Sequence, residues 1–224
     1  MTVKTRIIAR TLTGPRARKT IGLIDYEVGN LGSLTGALTR LGYQVTVGKT
    51  ADALRDVDCL LMPGVGSMPY AMDVLRRGGL DRFIQDSYAS GARRIIGICL
   101  GMQLMFEHSD EGDVPALGIL PGRIRKLADN TCHVGWNICH PSGPANCLAQ
   151  ETAFYFNHSF YVECPNEFIA ATTQIENSNG GGTLSLPVIV QSGPFIGVQF
   201  HPEKSQIAGA SLLTALIEGE MSHA

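Results

Sequence analysis

Three residues have the types and settings that attack on a carbonyl carbon requires: Cys99, His201 and Glu203. Cys99 lies in Gly97-Ile98-Cys99-Leu100-Gly101-Met102-Gln103, a G-x-C-x-G pattern. This is the thiol version of a nucleophile elbow, in which small flanking residues let a sharp strand-to-helix turn lift the reactive atom clear of a sheet. A buried core cysteine would satisfy the same pattern. His201-Pro202-Glu203 follows Val198-Gln199-Phe200. In extended chain, residues two apart share a side. Glu203 is therefore spaced to hold one imidazole nitrogen while the other faces a thiol, fixing the tautomer and stabilising the imidazolium. Taken singly, a loop histidine and a solvated carboxylate remain the alternatives.

An oxyanion needs backbone donors. The Leu100 amide, at the start of the helix after the elbow, is one candidate. Gly64-Val65-Gly66, after the apolar strand Cys59–Met62, is the second. Its glycines let a peptide turn inward or away, so this hole is expected to be conditional; a plain strand-end turn would also use Pro-Gly. The set suits a primary amide: sulfur attacks, ammonia leaves with a proton from His201, and water releases the acid.

The elements that must carry these residues alternate. Apolar runs at Ile21–Ile24, Cys59–Met62 and Ile95–Ile98 predict strands, and Tyr43–Val47 reads as the second strand. Leu31, Leu34, Leu38 and Leu41 predict a helix that Gly42 stops, and the spacing of Met72 and Leu75, then Leu80, Phe83 and Ile84, predicts further helix. Met102 to His108 is expected to continue the elbow as a helix, with His108 at its C-terminal end. The positive end of that helix would favour thiolate. Such alternation with uniformly apolar strands is the pattern of an α/β fold, an open, mostly parallel sheet with helices on both faces, whose sites lie at the strands' carboxyl ends. After about Gly118 the segments shorten to Gly122–Leu127, Ala153–Phe156, Tyr161–Cys164, Phe168–Thr173, Val188–Gln191 and Phe195–Phe200, predicting a mixed or antiparallel extension. Asn177–Thr183 reads as a surface turn, and Ala208–Glu218 closes the fold as a helix.

The 224 residues are 44% hydrophobic, enough for one large core. Residues 1–19 are basic and lack apolar periodicity, so they are expected to be a disordered extension, with residues 20–224 forming a single domain. Residues 1–20 hold six basic side chains and no acid, which leaves 12 basic against 20 acidic in the remainder. An acidic body argues against a nucleic-acid partner, and no apolar run is long enough for a membrane span. Six cysteines without C-x-x-C suit a reducing cytoplasm. Cys132-His133 and Cys139-His140, with Cys147 beyond, lack the tight pairs that structural zinc favours, so neither metal nor other cofactor is expected. Trp136, the single tryptophan, fits core filler or interface anchor; Asn30 fits a helix cap or a contact at the same rim.

Gly97 to Gln103 with His201-Pro202-Glu203 resembles the triad-type, class I glutamine amidotransferases. Asp25 to Leu31, the Pro63-Gly64-Val65-Gly66 loop, His133-Val134-Gly135-Trp136-Asn137, Tyr155-Phe156-Asn157-His158-Ser159 and Gln199 to Ser205 narrow the resemblance to glutaminase subunits of imidazole glycerol phosphate synthases. It runs from about Ile21 to Glu218. It implies Cys99 as nucleophile, His201 as base and Glu203 as its orienter. Gly64, Val65 and Gly66 would form the oxyanion strand, and Gln103 with His158-Ser159-Phe160 would hold glutamine. It also implies a heterodimer with a (β/α)8-barrel cyclase that receives the ammonia, with Asn30 and Trp136 at the interface. Cys132, Val134, Asn157 and Phe160 depart from the family's usual residues, on surfaces facing the expected partner. A paralogous synthase that makes an amidine from a sugar acetamido group is the alternative partner, and a stand-alone peptidase or γ-glutamyl hydrolase the alternative enzyme.

Overall fold

The computed structural model describes residues 19–27, 31–128, 132–142, 148–176 and 182–219. Asn30, Cys147, residues 1–18 and most of the Asn177–Thr183 turn lie outside them.

The first half alternates strand and helix: β1 (Thr20–Ile24), α1 (Leu31–Arg40), β2 (Gln44–Gly48), β3 (Cys59–Met62), α2 (Met68–Arg77), α3 (Leu80–Ser90) and β4 (Arg94–Ile98). A one-turn helix α4 (Leu100–Gln103) follows. Then come β5 (His108–Ser109), β6 (Val114–Pro115), β7 (Arg123–Lys126), β8 (His133–Pro141), β9 (Thr152–His158), β10 (Phe160–Glu163), β11 (Ile169–Glu176), β12 (Thr183–Ser192), β13 (Phe195–Val198) and α5 (Gln206–Glu218).

Nine strands form the central sheet in the order β2-β1-β3-β4-β13-β12-β11-β8-β9. The pairs from β2 through β13 are parallel, and those from β13 to β9 are antiparallel. Of the parallel strands, β1, β3, β4 and β13 bury both faces, as their apolar character requires, while the edge strand β2 is partly exposed. One core lies where Leu60, Ile95 and Phe195 meet α2 and α3; the other lies where Leu61, Ile96 and Val198 meet α1 and α5. β10-β7-β5-β6 form a small second sheet.

Three expectations are corrected. The helix after the elbow is one turn, not Met102 to His108: Leu104, Met105 and Phe106 are wholly buried and descend as a turn toward β5. His108 therefore sits in a strand, 3.6 Å from Asp113, rather than at a helix C-terminus. One turn of helix offers a Cys99 thiolate much less dipole than a long helix would. β8, which the short-segment pattern does not reveal, is nine residues long.

Candidate active site

Cys99 has φ +47° and ψ −104°, a conformation that non-glycine residues rarely adopt and that surrounding structure must enforce. Its amide donates to the Val198 carbonyl on β13 at 2.7 Å, and its carbonyl accepts from the Met102 and Gln103 amides. Gly101 lets α4 settle onto the sheet: a Cβ there would lie 2.2 Å from the Met62 carbonyl oxygen. The elbow's glycines thus meet a close-approach requirement, and the strained residue between them is the thiol.

His201 comes from the chain after β13. Its amide donates to the Tyr155 carbonyl on β9 at 2.8 Å, and its carbonyl accepts from the Ser205 hydroxyl at 2.7 Å. The His201 Nδ1–H donates to Glu203 Oε1 at 2.9 Å. The expected partnership is present, but its geometry is not that of a strand. Pro202–Lys204 is a turn of 3-10 helix, and the turn brings Glu203 back under the imidazole. His201 is 1% exposed. Among the described residues its Nε2 meets no hydrogen-bond geometry, yet the Cys99 thiol is close enough to act on it. Burial opposes the imidazolium, but Cys99 and Glu203 outweigh burial and push His201 up to about 9. The arrangement favours an imidazolium facing sulfur at neutral pH.

A cleft of about 280 Å³ opens over Cys99, lined by Gly64, Val65, Gly66, Leu100, Gln103, His158, Ser159 and Phe160. Every expected oxyanion and substrate residue is therefore in one place. Gly64 packs so tightly on the elbow that a Cβ would lie 2.7 Å from the Ile98 carbonyl oxygen. The Gln103 Nε2 donates to the Phe160 carbonyl at 2.9 Å and to Gln199 Oε1 at 3.0 Å. Both its hydrogens are then occupied, and its own oxygen is the group left for a ligand. His158 Nδ1 also meets the Phe160 carbonyl, at 2.9 Å, so that nitrogen carries the proton; its Nε2 then accepts from His133 Nδ1 at 3.0 Å. Burial pushes His158 down to about 4 and lowers His133, so both imidazoles are neutral at pH 7.

Two residues of the site were not singled out in the sequence. Glu111 lines the cleft, and its Oε2 accepts from the Met68 amide at 2.9 Å, at the start of α2 where the Ser67 side chain does not cap the helix. Its Glu-on-a-loop setting carries no local signal. Gln199 is 0% exposed and contacts Cys99; a polar residue inside an apolar strand end was the available clue.

Asn30 lies outside the described residues. Trp136 is 51% exposed, so it is not core filler. With Val134 and Ile138 it forms an exposed apolar stripe at alternate positions of β8. Tyr155 meets Trp136 edge-on at 6.3 Å, and the Lys204 ammonium lies 5.8 Å from the Tyr155 ring centre. The stripe is therefore continuous with the turn that holds Glu203.

Comparison with known proteins gives the family. The family model for glutamine amidotransferase class-I matches residues 22–215. The imidazole glycerol phosphate synthase subunit HisH of Lactococcus lactis is 38% identical over 207 residues, 89% of this chain and 98% of that one. The subunit of the same name from Staphylococcus aureus is 37% identical over 201 residues, 89% and 97%. Among solved structures, a glutamine amidotransferase has a TM-score of 0.69 at 18% identity, over 89% of this chain and 98% of that one. PurLQS from Thermotoga maritima reaches 0.70 at 16%, over 91% and 99%. The expected parallel sheet with its antiparallel extension is the fold these structures share. A cysteine elbow, a buried histidine–glutamate pair and a family match across most of the sequence place this chain in the class I glutamine amidotransferase family.

Proposed function

We propose that this chain is the glutaminase subunit of an imidazole glycerol phosphate synthase, acting in histidine biosynthesis. The observation that carries the reading is the cleft that gathers Cys99, the Gly64–Gly66 loop, Gln103 and Phe160, with the His201–Glu203 pair beside Cys99. The names of the relatives supply the pathway.

Glutamine enters with its side-chain amide over Cys99. The Glu111 carboxylate suits its α-ammonium group, assisted by Gln103 Oε1, and the backbone at Ser159 and Phe160 lines the other wall. Cys99 sulfur attacks the amide carbon. Charge builds on the former carbonyl oxygen, which the Leu100 amide and a peptide of the Gly64–Gly66 loop stabilise. His201 gives its proton to the departing nitrogen, and ammonia leaves a thioester. His201, now neutral, takes a proton from water, which attacks the thioester; glutamate leaves and the imidazolium–thiolate pair returns. Glu203 keeps Nδ1 protonated throughout, so that Nε2 carries the proton traffic.

Ammonia is protonated in neutral water, so a second active site must receive it directly. The Val134-Trp136-Ile138 stripe supports a protein partner seated on β8, here a (β/α)8-barrel cyclase in a heterodimer, with Asn30 at the same rim. Residues 20–224 act as one glutaminase domain, and a cytoplasmic compartment suits the unpaired cysteines. The test is ammonia release by the chain alone, with the cyclase, and with the cyclase carrying its nucleotide ligand. Strong stimulation by the loaded cyclase is expected. Cysteine-dependent turnover that ignores that cyclase would instead point to a paralogous synthase.

A further inference from the structure

Gln199 is a buried polar residue beside Cys99 whose burial the triad chemistry leaves without a purpose. It is 0% exposed between Val198 and Phe200, both equally buried, at a place where an aliphatic side chain would cost nothing in desolvation. Its Nε2 lies 3.4 Å from Cys99 Sγ, and its Oε1 accepts from Gln103 Nε2 at 3.0 Å. The orientation of both amides follows from one atom. The Phe160 carbonyl oxygen only accepts, so the Gln103 nitrogen must face it. That same nitrogen then donates to Gln199 Oε1, which leaves the Gln199 nitrogen turned toward the sulfur. Flipping Gln103 would set oxygen against oxygen, and flipping Gln199 would set donor against donor.

We propose that Gln199 is a further catalytic residue of the glutaminase: its side-chain amide donates a hydrogen bond to Cys99 Sγ that steadies the thiolate, and Gln103 is the positioning residue that fixes the direction of that bond. A neutral donor suits this task. It stabilises negative charge on sulfur before attack and again when the thioester is cleaved, but it has no proton to surrender, so it does not compete with His201. It also answers a difficulty in the elbow, where one turn of helix gives little dipole to a thiolate. Gln103 thereby links the substrate wall at Phe160 to the nucleophile. The inference rests on the reading of Cys99 as nucleophile.

The test uses iodoacetamide, which needs no glutamine subsite, on the full chain from pH 5 to 10, with the modification of Cys99 followed by peptide mass spectrometry. Gln199→Met keeps the volume and removes the donor; Gln103→Met releases Gln199 from its fixed direction. For Gln199→Met the Cys99 rate on the acid limb of its pH profile, below the midpoint, is expected to fall about tenfold, the low end for a hydrogen bond to an ionised group. The midpoint of its pH profile should rise by about one pH unit, with the plateau at high pH retained. Gln103→Met should move the midpoint the same way by less, and it carries the test if Gln199→Met does not fold. A lowered plateau with an unmoved midpoint would make Gln199 merely structural and overturn the inference. Absence of preferential Cys99 labelling in the unaltered protein would overturn the nucleophile reading itself, which separates the two failures.

Discussion

Replacing Glu203 by Gln changes one atom and removes one charge from beneath His201. The Nδ1–H to Oε1 distance of 2.9 Å puts the centres of the imidazolium and the carboxylate about 4 Å apart. At an effective dielectric of about 20, that separation is worth about 4 kcal/mol. The amide oxygen of glutamine still accepts a hydrogen bond, which restores about 1 kcal/mol. The net loss of about 3 kcal/mol has two readouts. Glutaminase kcat/KM, measured by glutamate release in complex with the partner, should fall about a hundredfold, at 1.36 kcal/mol for each factor of ten. The same energy should lower the alkaline limb of the pH profile by about two pH units, because the pair that holds His201 near 9 has lost a charge. A loss smaller than threefold with the alkaline limb unmoved would refute the claim that Glu203 stabilises the imidazolium.

In the unaltered enzyme, kcat/KM should fall as pH rises through about 9, where His201 loses the proton needed by the leaving nitrogen. Since the folded value lies above that of an unfolded histidine, the associated stability is full below about 6.5 and is lost as pH climbs through about 9; thermal unfolding across that window checks the sign. Glu111→Gln retains an acceptor for the Met68 amide but lacks the charge for an α-ammonium group, so KM for glutamine should rise by about tenfold or more while kcat holds. Gly209→Ala places a Cβ 1.9 Å from the Pro202 carbonyl oxygen, pushing α5 off the His201–Glu203 turn. It should destabilise the fold by about 1–3 kcal/mol and reduce activity, read by denaturant unfolding and glutamate release. Trp136→Ala should leave folding intact, because the ring is half exposed, yet weaken affinity for the partner by about tenfold or more in titration calorimetry.

What the sequence discloses and what it hides have physical causes here. The elbow, the strand before it and the His201–Glu203 pair are local: each is a few adjacent residues whose spacing implies its own geometry. The parallel half is legible for the same reason, since a strand buried on both faces must be apolar throughout, as Cys59–Met62 is. The elbow helix was overextended because Leu104, Met105 and Phe106 are apolar for burial between the sheets, and periodicity does not separate that from helix. β8 was hidden because its alternation is inverted: outward Val134, Trp136 and Ile138 are apolar, while His133, Gly135 and Asn137 on the more buried face are not. Glu111 and Gln199 join the site only through contacts with Met68, Cys99 and Gln103, which lie 43, 100 and 96 residues away in the chain. Two-residue spacing placed Glu203 correctly for a reason that did not apply, as the 3-10 turn rather than a strand delivers it.

The central claim is that sulfur of Cys99 attacks the side-chain carbon of glutamine. The most direct measurement is covalent labelling by an electrophilic glutamine analogue, in complex with ligand-loaded cyclase, with the adduct located by mass spectrometry. The account predicts one adduct, on Cys99 among the six cysteines, suppressed by excess glutamine and absent in Cys99→Ala. An adduct on another cysteine that tracks loss of activity, or full glutaminase turnover by Cys99→Ala, would contradict it.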